Sequence, residues 1–377
     1  MNSKSTHVFI FLEIFNCEGG IQSYVKDVLQ AYTLIAQQKN NATAEVFLLR
    51  DQPSDNNPFD VYPLKFHYLK SRLPMLGRLK LVIKLLLSLG RQPSHVFCGH
   101  IKLAPLTRLL CEWLGVPYTV LTYGKEVWNW LPDKERQALI AASGIWTISR
   151  YSRDRLCATQ GINLDKVHIL PCVVDGTAFS PGEKPQDLIS KYKLADAKVL
   201  LTVARLWKTD IYKGVDVTIR ALPQIASAFP EVKYLVIGRG DDQPRLQQLA
   251  QDLGVGDRVI FAGFVPTQNL VEHYRLADAY IMPSQEGFGI VYLEALACGK
   301  PVLSGDADGS SDPLQDGKLG WQVPHRDINA VAAASLEILT GSDSRCQAQW
   351  LRSQTLAQFG KDTLSQKLQQ LLKAISP

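Results

Sequence analysis

Long apolar runs are missing from this 377-residue chain. No stretch reaches the ~18 consecutive apolar residues that a membrane-spanning helix requires. The polar start from Met1 to Thr6 and the short apolar run from Val8 to Leu12 do not read as a signal peptide. Seven cysteines are scattered without a Cys-x-x-Cys pair or a His/Cys spacing suited to zinc, so neither a disulfide framework nor a structural metal is expected. The dinucleotide fingerprint Gly-x-Gly-x-x-Gly is also missing, which argues against a nicotinamide-dependent dehydrogenase. Between Asp60 and Glu112 there is no acidic residue, while Lys65, Lys70, Arg72, Arg78, Lys80, Lys84, Arg91, Lys102 and Arg108 all fall there. The net charge of +5 is therefore local to the N-terminal half, and the rest of the chain is slightly acidic.

What is present is an ordinary globular composition, 46% hydrophobic and 20% charged, at a length that favours two domains. In the N-terminal half, strand-like runs at His7–Leu12, Glu45–Leu49, His95–Cys98, Tyr118–Thr122 and Ile145–Ile148 alternate with helical segments such as Leu76–Leu89 and Lys134–Ala142. The second half repeats this, with strands expected at Lys198–Val203, Lys233–Ile237, Val259–Phe261, Ala279–Met282 and Pro301–Leu303. Alternation of this kind implies α/β domains, each a parallel sheet covered by helices. The breakers Gly176, Pro181, Gly182 and Pro185 mark a linker. The expected division is 1–178, 188–346, and a helical segment 347–377 that packs back on the first domain. Two doubly wound domains would hold a ligand in the cleft at the carboxyl ends of their strands.

Three segments carry chemistry. The first runs from Pro283 to Pro301, where a strand ends, a glycine-containing loop follows and a helix starts near Ile290. Gly287 and Gly289 let backbone amides approach a ligand, and the helix start suits a diphosphate. Glu286 in the loop and Glu294 one turn into the helix can accept hydrogen bonds from vicinal hydroxyls. Taken alone, such a pair is better read as a helix-start residue and a solvated helix glutamate; the full segment reverses that preference. In the second segment, Arg205 follows a strand and Lys213 precedes a helix, so two cations could neutralise a departing diphosphate; alone they would be surface cations. The third is Glu18-Gly19-Gly20, a turn opening a helix after the first strand.

Together these residues resemble glycosyltransferase family four, the retaining nucleotide-sugar enzymes of the GT-B fold, whose two Rossmann-like domains face a central cleft. The Glu-x7-Glu motif at Glu286 and Glu294 carries most of the resemblance. Ile169-Leu-Pro-Cys-Val-Val-Asp175, Gly238-Arg-Gly240 and Phe261-Ala-Gly-Phe-Val-Pro266 add to it. The resemblance implies that Glu286 holds the donor sugar and Glu294 the ribose, and that Arg205 and Lys213 bind the diphosphate. Gly263, Phe264 and Val265 would border the base, while Gly19, Gly20, Gly287, Phe288, Gly289 and Ile290 would line the donor. It further implies retention of configuration without a metal or other cofactor, the nucleotide diphosphate-sugar being a substrate. Two positions depart from the family. Tyr123 stands where a histidine that lies against the donor sugar is common, and its hydroxyl could still donate a hydrogen bond to the donor; Cys172 stands where asparagine is common.

Family members that use lipid-linked acceptors often carry basic, apolar N-terminal surfaces. Here Met75 to Leu89 combines nine Leu, Val and Ile residues with Arg78, Lys80 and Lys84, and Lys80, Lys84, Ser88 and Arg91 fall on one stripe. Two readings stand: contact with an anionic membrane from the cytoplasmic side, or a core helix with a solvated polar stripe. Nucleic acid is not expected, since no binding motif accompanies the charge. The expected function is transfer of a sugar to a lipid-linked or polysaccharide precursor. A non-catalytic nucleotide-sugar binder and a sugar-nucleotide epimerase are the alternatives. His95 and His100 flank a strand end where an acceptor could lie, and a packing role is the plainer reading of each.

Overall fold

Runs such as Lys198–Val203, with Val199, Leu200, Leu201 and Thr202 all buried, have no polar face and need helices on both sides of their sheet. The computed structural model describes residues 5–39, 42–53, 57–59, 61 and 63–375. The polar start up to residue 4, and Asp60, lie outside them. The chain divides into two units, Met1–Val173 with Lys361–Pro377, and Val174–Gly360.

Among the described residues the first unit holds seven strands: β1 (Ser5–Phe11), β2 (Ala42–Leu48), β3 (Leu64–Tyr68), β4 (His95–Cys98), β5 (Tyr118–Leu121), β6 (Gly144–Thr147) and β7 (Val167–Ile169). Its helices are α1 (Gly20–Lys39), α2 (Pro74–Leu89), α3 (Ala104–Leu114), α4 (Lys125–Trp128), α5 (Asp133–Ala141) and α6 (Arg150–Gln160). The sheet is parallel, in the order β3-β2-β1-β4-β5-β6-β7.

The second unit begins with α7 (Gln186–Tyr192) and β8 (Lys198–Val203), then α8 (Val215–Ala228), β9 (Val232–Ile237), α9 (Gln243–Asp252) and β10 (Val259–Gly263). It continues with α10 (Thr267–Leu276), β11 (Ala279–Met282), α11 (Ile290–Ala297), β12 (Val302–Gly305), β13 (Trp321–Val323), α12 (Ile328–Thr340) and α13 (Ala348–Phe359). Its sheet runs β10-β9-β8-β11-β12-β13, again parallel. Both sheets thus reverse their strand order once, at β1/β4 and at β8/β11, the doubly wound arrangement.

The expected strands are present within a few residues. The sequence reading leaves out β3, β7 and β13. Two of these are three residues long, and β3 is a half-exposed edge inside the basic stretch. The C-terminal helical segment breaks at Gly360. α13 belongs to the second unit, whereas α14 (Lys361–Ile375) packs on α1 in the first. All seven cysteines are free thiols.

Helix α2 is apolar on two opposite faces. Gly77, Leu81, Leu85 and Leu89 point into the core at intervals of four. Met75, Leu79, Ile83 and Leu87, at the same interval on the other side, are exposed. The polar stripe expected here is only partly solvated. Lys80 and Lys84 are exposed, but Ser88 is buried and donates to Glu45 Oε2, and Arg91 lies 3.4 Å from the same carboxylate.

Candidate active site

In the second unit, the strands on either side of the reversal, β8 and β11, feed the two segments that carry the charged candidates. Ligands of doubly wound sheets lie outside the carboxyl ends of such strands. After β8 comes Arg205, then a 3-10 turn over Lys208–Lys213, and Gly214, which caps α8. After β11 comes the loop Pro283–Gly289, and Gly289 caps α11.

Lys213 Nζ contacts Glu286 Oε1, and the two side chains are only 16% and 15% exposed. Burial works against the Lys213 charge. The Glu286 carboxylate and Tyr212 more than offset this, so the ammonium is held above its ordinary value, with Arg205 close enough to oppose them. Arg205 itself is 68% exposed, with Nη2 3.1 Å from Asp210 Oδ2. One cation is therefore sunk against an acid and the other stands open to solvent. Glu294 is not a solvated helix glutamate: it is buried in α11, and its Oε2 accepts the Tyr274 hydroxyl at 2.7 Å.

The loop that carries Glu286 is gripped by main chain on two sides. Gly309 donates its amide to Glu286 O at 2.8 Å, and a Cβ there would stand 2.0 Å from Gly287 O. Gly214 has φ +74°, and a Cβ there would stand 2.5 Å from Pro283 O. Neither position admits a side chain without moving the loop. The Asp308 carboxylate accepts the Glu286 amide with one oxygen and the Ser310 amide, at 2.8 Å, with the other. The sequence reading does not single out Asp308. With Asp306 it has the Asp-x-Asp spacing of a metal-binding donor motif, yet Asp308 is buried and bound to main chain. Among the described residues, no group of three or more His, Cys, Asp or Glu is placed to hold a metal ion.

The remaining candidates of this unit differ in what they present. Phe264 is 49% exposed with the Arg239 guanidinium 4.9 Å from its ring centre, while Val265 and Ile290 are half-buried. Gly263 accepts the Gly238 amide at 2.8 Å. Phe288 turns its ring into the core, edge-on to Phe359 at 5.8 Å, so only its main chain can meet a ligand.

In the first unit, Gly19 and Gly20 lie at the start of α1, after β1, and Ser23 donates to Gly19 O at 3.0 Å. The preceding loop is shaped by Asp51, whose buried carboxylate accepts the amides of Ile14, Phe15 and Asn16. Asp51 lies beyond the end of β2, and no sequence motif marks it. Tyr123 follows β5. Its hydroxyl donates to Gly99 O at 2.7 Å and its ring stands edge-on to Tyr24. Burial holds both phenols well above their ordinary pKa. The Tyr123 hydroxyl hydrogen that the sequence offers to a donor is thus engaged within the unit. His95 is a packing residue, 2.8 Å from Thr119 Oγ1. His100 Nδ1 accepts the Lys102 amide, and burial with Lys102 and Arg50 lowers its pKa to about 4.

Residues 185–349 match the family model for glycosyl transferases group 1. The GDP-mannose-dependent alpha-(1-6)-phosphatidylinositol monomannoside mannosyltransferase of Mycobacterium tuberculosis is 33% identical over 296 residues, 74% of this chain and 73% of that protein. Its counterpart in Mycolicibacterium smegmatis is 35% identical over 58% of this chain and 59% of its own length. Among solved structures, a glycosyltransferase of Rickettsia africae has a TM-score of 0.79 at 15% identity, covering 99% of this chain and 98% of its own. HepE of Anabaena, in complex with UDP and glucose, has a TM-score of 0.76 at 19% identity, covering 98% of this chain and all of its own. With the matched fold, the family model and a relative aligned over nearly three quarters of both lengths, the chain belongs to the glycosyl transferases group 1 family, and is a nucleotide-sugar-dependent glycosyltransferase of GT-B fold.

Proposed function

We propose that the chain transfers a hexose, with retention of configuration, from a nucleoside diphosphate-sugar to a lipid-linked or polysaccharide precursor at an anionic membrane surface. The observation that carries the chemical part is the Lys213–Glu286 contact, with the open Arg205 near enough to act on the Lys213 charge and Glu286 in the loop that leads into α11. A diphosphate brings to Lys213 the negative charge that Glu286 supplies in the free protein. Glu286 is then released to accept hydroxyls of the donor sugar. Arg205, Lys213 and the loop amides before α11 stabilise the departing diphosphate, whose oxygen takes the acceptor proton. Glu294, oriented by Tyr274, holds the ribose, and Phe264 with Val265 borders the base. The mannosyltransferases of mycobacteria make GDP-mannose the first donor to try.

The acceptor side rests on α2. Its exposed ridge of Met75, Leu79, Ile83 and Leu87, flanked by Arg78, Lys80 and Lys84, sets apolar side chains beside cations, the complement of an anionic bilayer's acyl chains and negative headgroups. Leu109 and Trp113 of the neighbouring α3 are exposed as well. No helix among the described residues is long and apolar enough to cross a membrane, so the contact proposed is peripheral.

A thermal-shift panel of GDP-mannose, UDP-glucose and ADP-glucose tests the donor reading. A donor at a hundred times its dissociation constant adds about 2.7 kcal/mol of stability. A shift with one donor, followed by transfer or slow hydrolysis, supports the enzyme. A shift with no turnover supports a nucleotide-sugar binder, and free sugar released from an epimerised donor supports an epimerase.

A further inference from the structure

Asp308 is a buried carboxylate that the transfer chemistry does not use, and it lies behind the residue on which that chemistry turns. Its Oδ2 accepts the amide of Glu286, while Oδ1 accepts both the amide and the hydroxyl of Ser310. The Ser310 hydroxyl is in turn 3.1 Å from Ser304 Oγ and 3.0 Å from Gly305 O, which ties the cluster to the end of β12. The next residue, Gly309, donates to Glu286 O at 2.8 Å. The main-chain N–H and C=O of Glu286 are thereby both held by two consecutive residues that follow a neighbouring strand end. A carboxylate taking two amides and a hydroxyl has its orientation fully determined, and it transmits that orientation to the loop.

We infer that Asp308 is a positioning residue for the reaction: its ionised carboxylate fixes the main chain at Glu286, and through it the place where the Glu286 side chain meets Lys213 and the donor sugar. The inference rests on the reading of Glu286 given above. Protonation would undo the arrangement, because a neutral carboxyl has one acceptor oxygen in place of two and acquires a donor where an amide already points. Burial raises the Asp308 pKa to about 7. The Ser310 hydroxyl and the amides of Glu286 and Ser310 oppose the rise, and the Glu286 carboxylate adds to it. The Tyr292 phenol of α11 also faces the group and is itself pushed up by burial and by Asp308. The loop is therefore expected to be well placed above neutrality and loosened below it.

The test uses the full-length protein with the donor that stabilises it in the thermal-shift panel, following slow hydrolysis from pH 5.5 to 9. In the natural protein, kcat falls on the acid side with a midpoint near neutrality. Asp308→Asn, which keeps the volume but offers one acceptor, lowers kcat about tenfold to a hundredfold at pH 8. KM changes little and the acid limb disappears. A merely structural Asp308 would lower the melting temperature but leave the limb in place. Amide hydrogen exchange provides a readout independent of turnover. Protection at Glu286 and Gly309 should drop below pH 7 in the natural protein and be low at all pH values in Asp308→Asn. Unchanged kcat and limb in the variant, or pH-independent protection at Glu286 in the natural protein, would overturn the inference. A natural protein that hydrolyses no donor yet shows the exchange pattern would instead overturn the reading of the reaction.

Discussion

The Lys213 ammonium rests against one oxygen of the Glu286 carboxylate, two residues 73 apart in sequence that meet because β8 and β11 are adjacent strands. Breaking a largely buried pair from one side leaves the other charge without its partner. Glu286→Gln and Lys213→Met are each expected to lower the melting temperature, while the double variant recovers most of that loss. Glu286→Gln and Arg205→Ala should stay folded at 25 °C and lose about a hundredfold or more in turnover. Arg205→Ala should melt close to the natural protein, since Arg205 is largely exposed. Calorimetry of the four variants, with donor turnover alongside, checks the set. Full activity in Glu286→Gln or Arg205→Ala would remove the site assignment.

Gly309→Ala should act on activity far more than its single methyl suggests. The added Cβ would meet Gly287 O at 2.0 Å and Glu286 O at 2.9 Å, so the loop must move. A displacement of about 1 Å in a catalytic loop costs on the order of a hundredfold in rate. Gly341→Ala is the control. It has φ +74° but open space around its Cβ, so it pays about 1–2 kcal/mol of backbone strain and leaves turnover alone. Equal activity in both variants would show that the Glu286 loop tolerates displacement.

Acid should weaken the first unit through two histidines. Burial lowers His7 to about 4, and burial together with His7 lowers His95 to about 3. Both rings are neutral in the folded unit, while the unfolded chain takes up protons from about pH 6.5 downward. The unfolded state thus binds more protons between these values, and stability is lost as pH falls through that window. His95→Gln should flatten the decline in melting temperature between pH 7 and pH 5. A slope unchanged by His95→Gln would count against a neutral buried His95.

The membrane proposal turns on side chains whose removal leaves the core untouched. Leu79→Glu with Ile83→Glu changes two exposed positions of α2 and none of Leu81, Leu85 or Leu89. The natural protein should float with vesicles containing anionic lipid at low salt, and the double variant should stay in the aqueous fraction with an unchanged melting temperature. Absence of flotation by the natural protein would end the proposal.

Much of the fold is legible in the sequence because buried parallel strands leave long β-branched and aromatic runs: His95–Cys98, Lys198–Val203 and Ala279–Met282 are read to the residue. β7 and β13 are three residues long and carry too little pattern to detect. Of the candidate site, Glu286, Lys213 and Arg205 are legible as chemistry near loops, and the structure brings them within reach of one another. Asp51 and Asp308 are not legible. Each acts by accepting main-chain amides, and no side-chain motif records that role. The two apolar ridges of α2 are both present in the sequence. Which of them faces the core depends on the sheet it packs against, so the exposed one becomes visible only in three dimensions.

Helix α14 packs on α1, so the first unit is interrupted by the whole of the second and resumes only at Lys361. On a ribosome, residues 174–360 emerge and can close their own core while the earlier unit still lacks Leu364, Leu368 and Leu371. The order of synthesis and the order of completion are therefore opposite: the half that is made first is finished last.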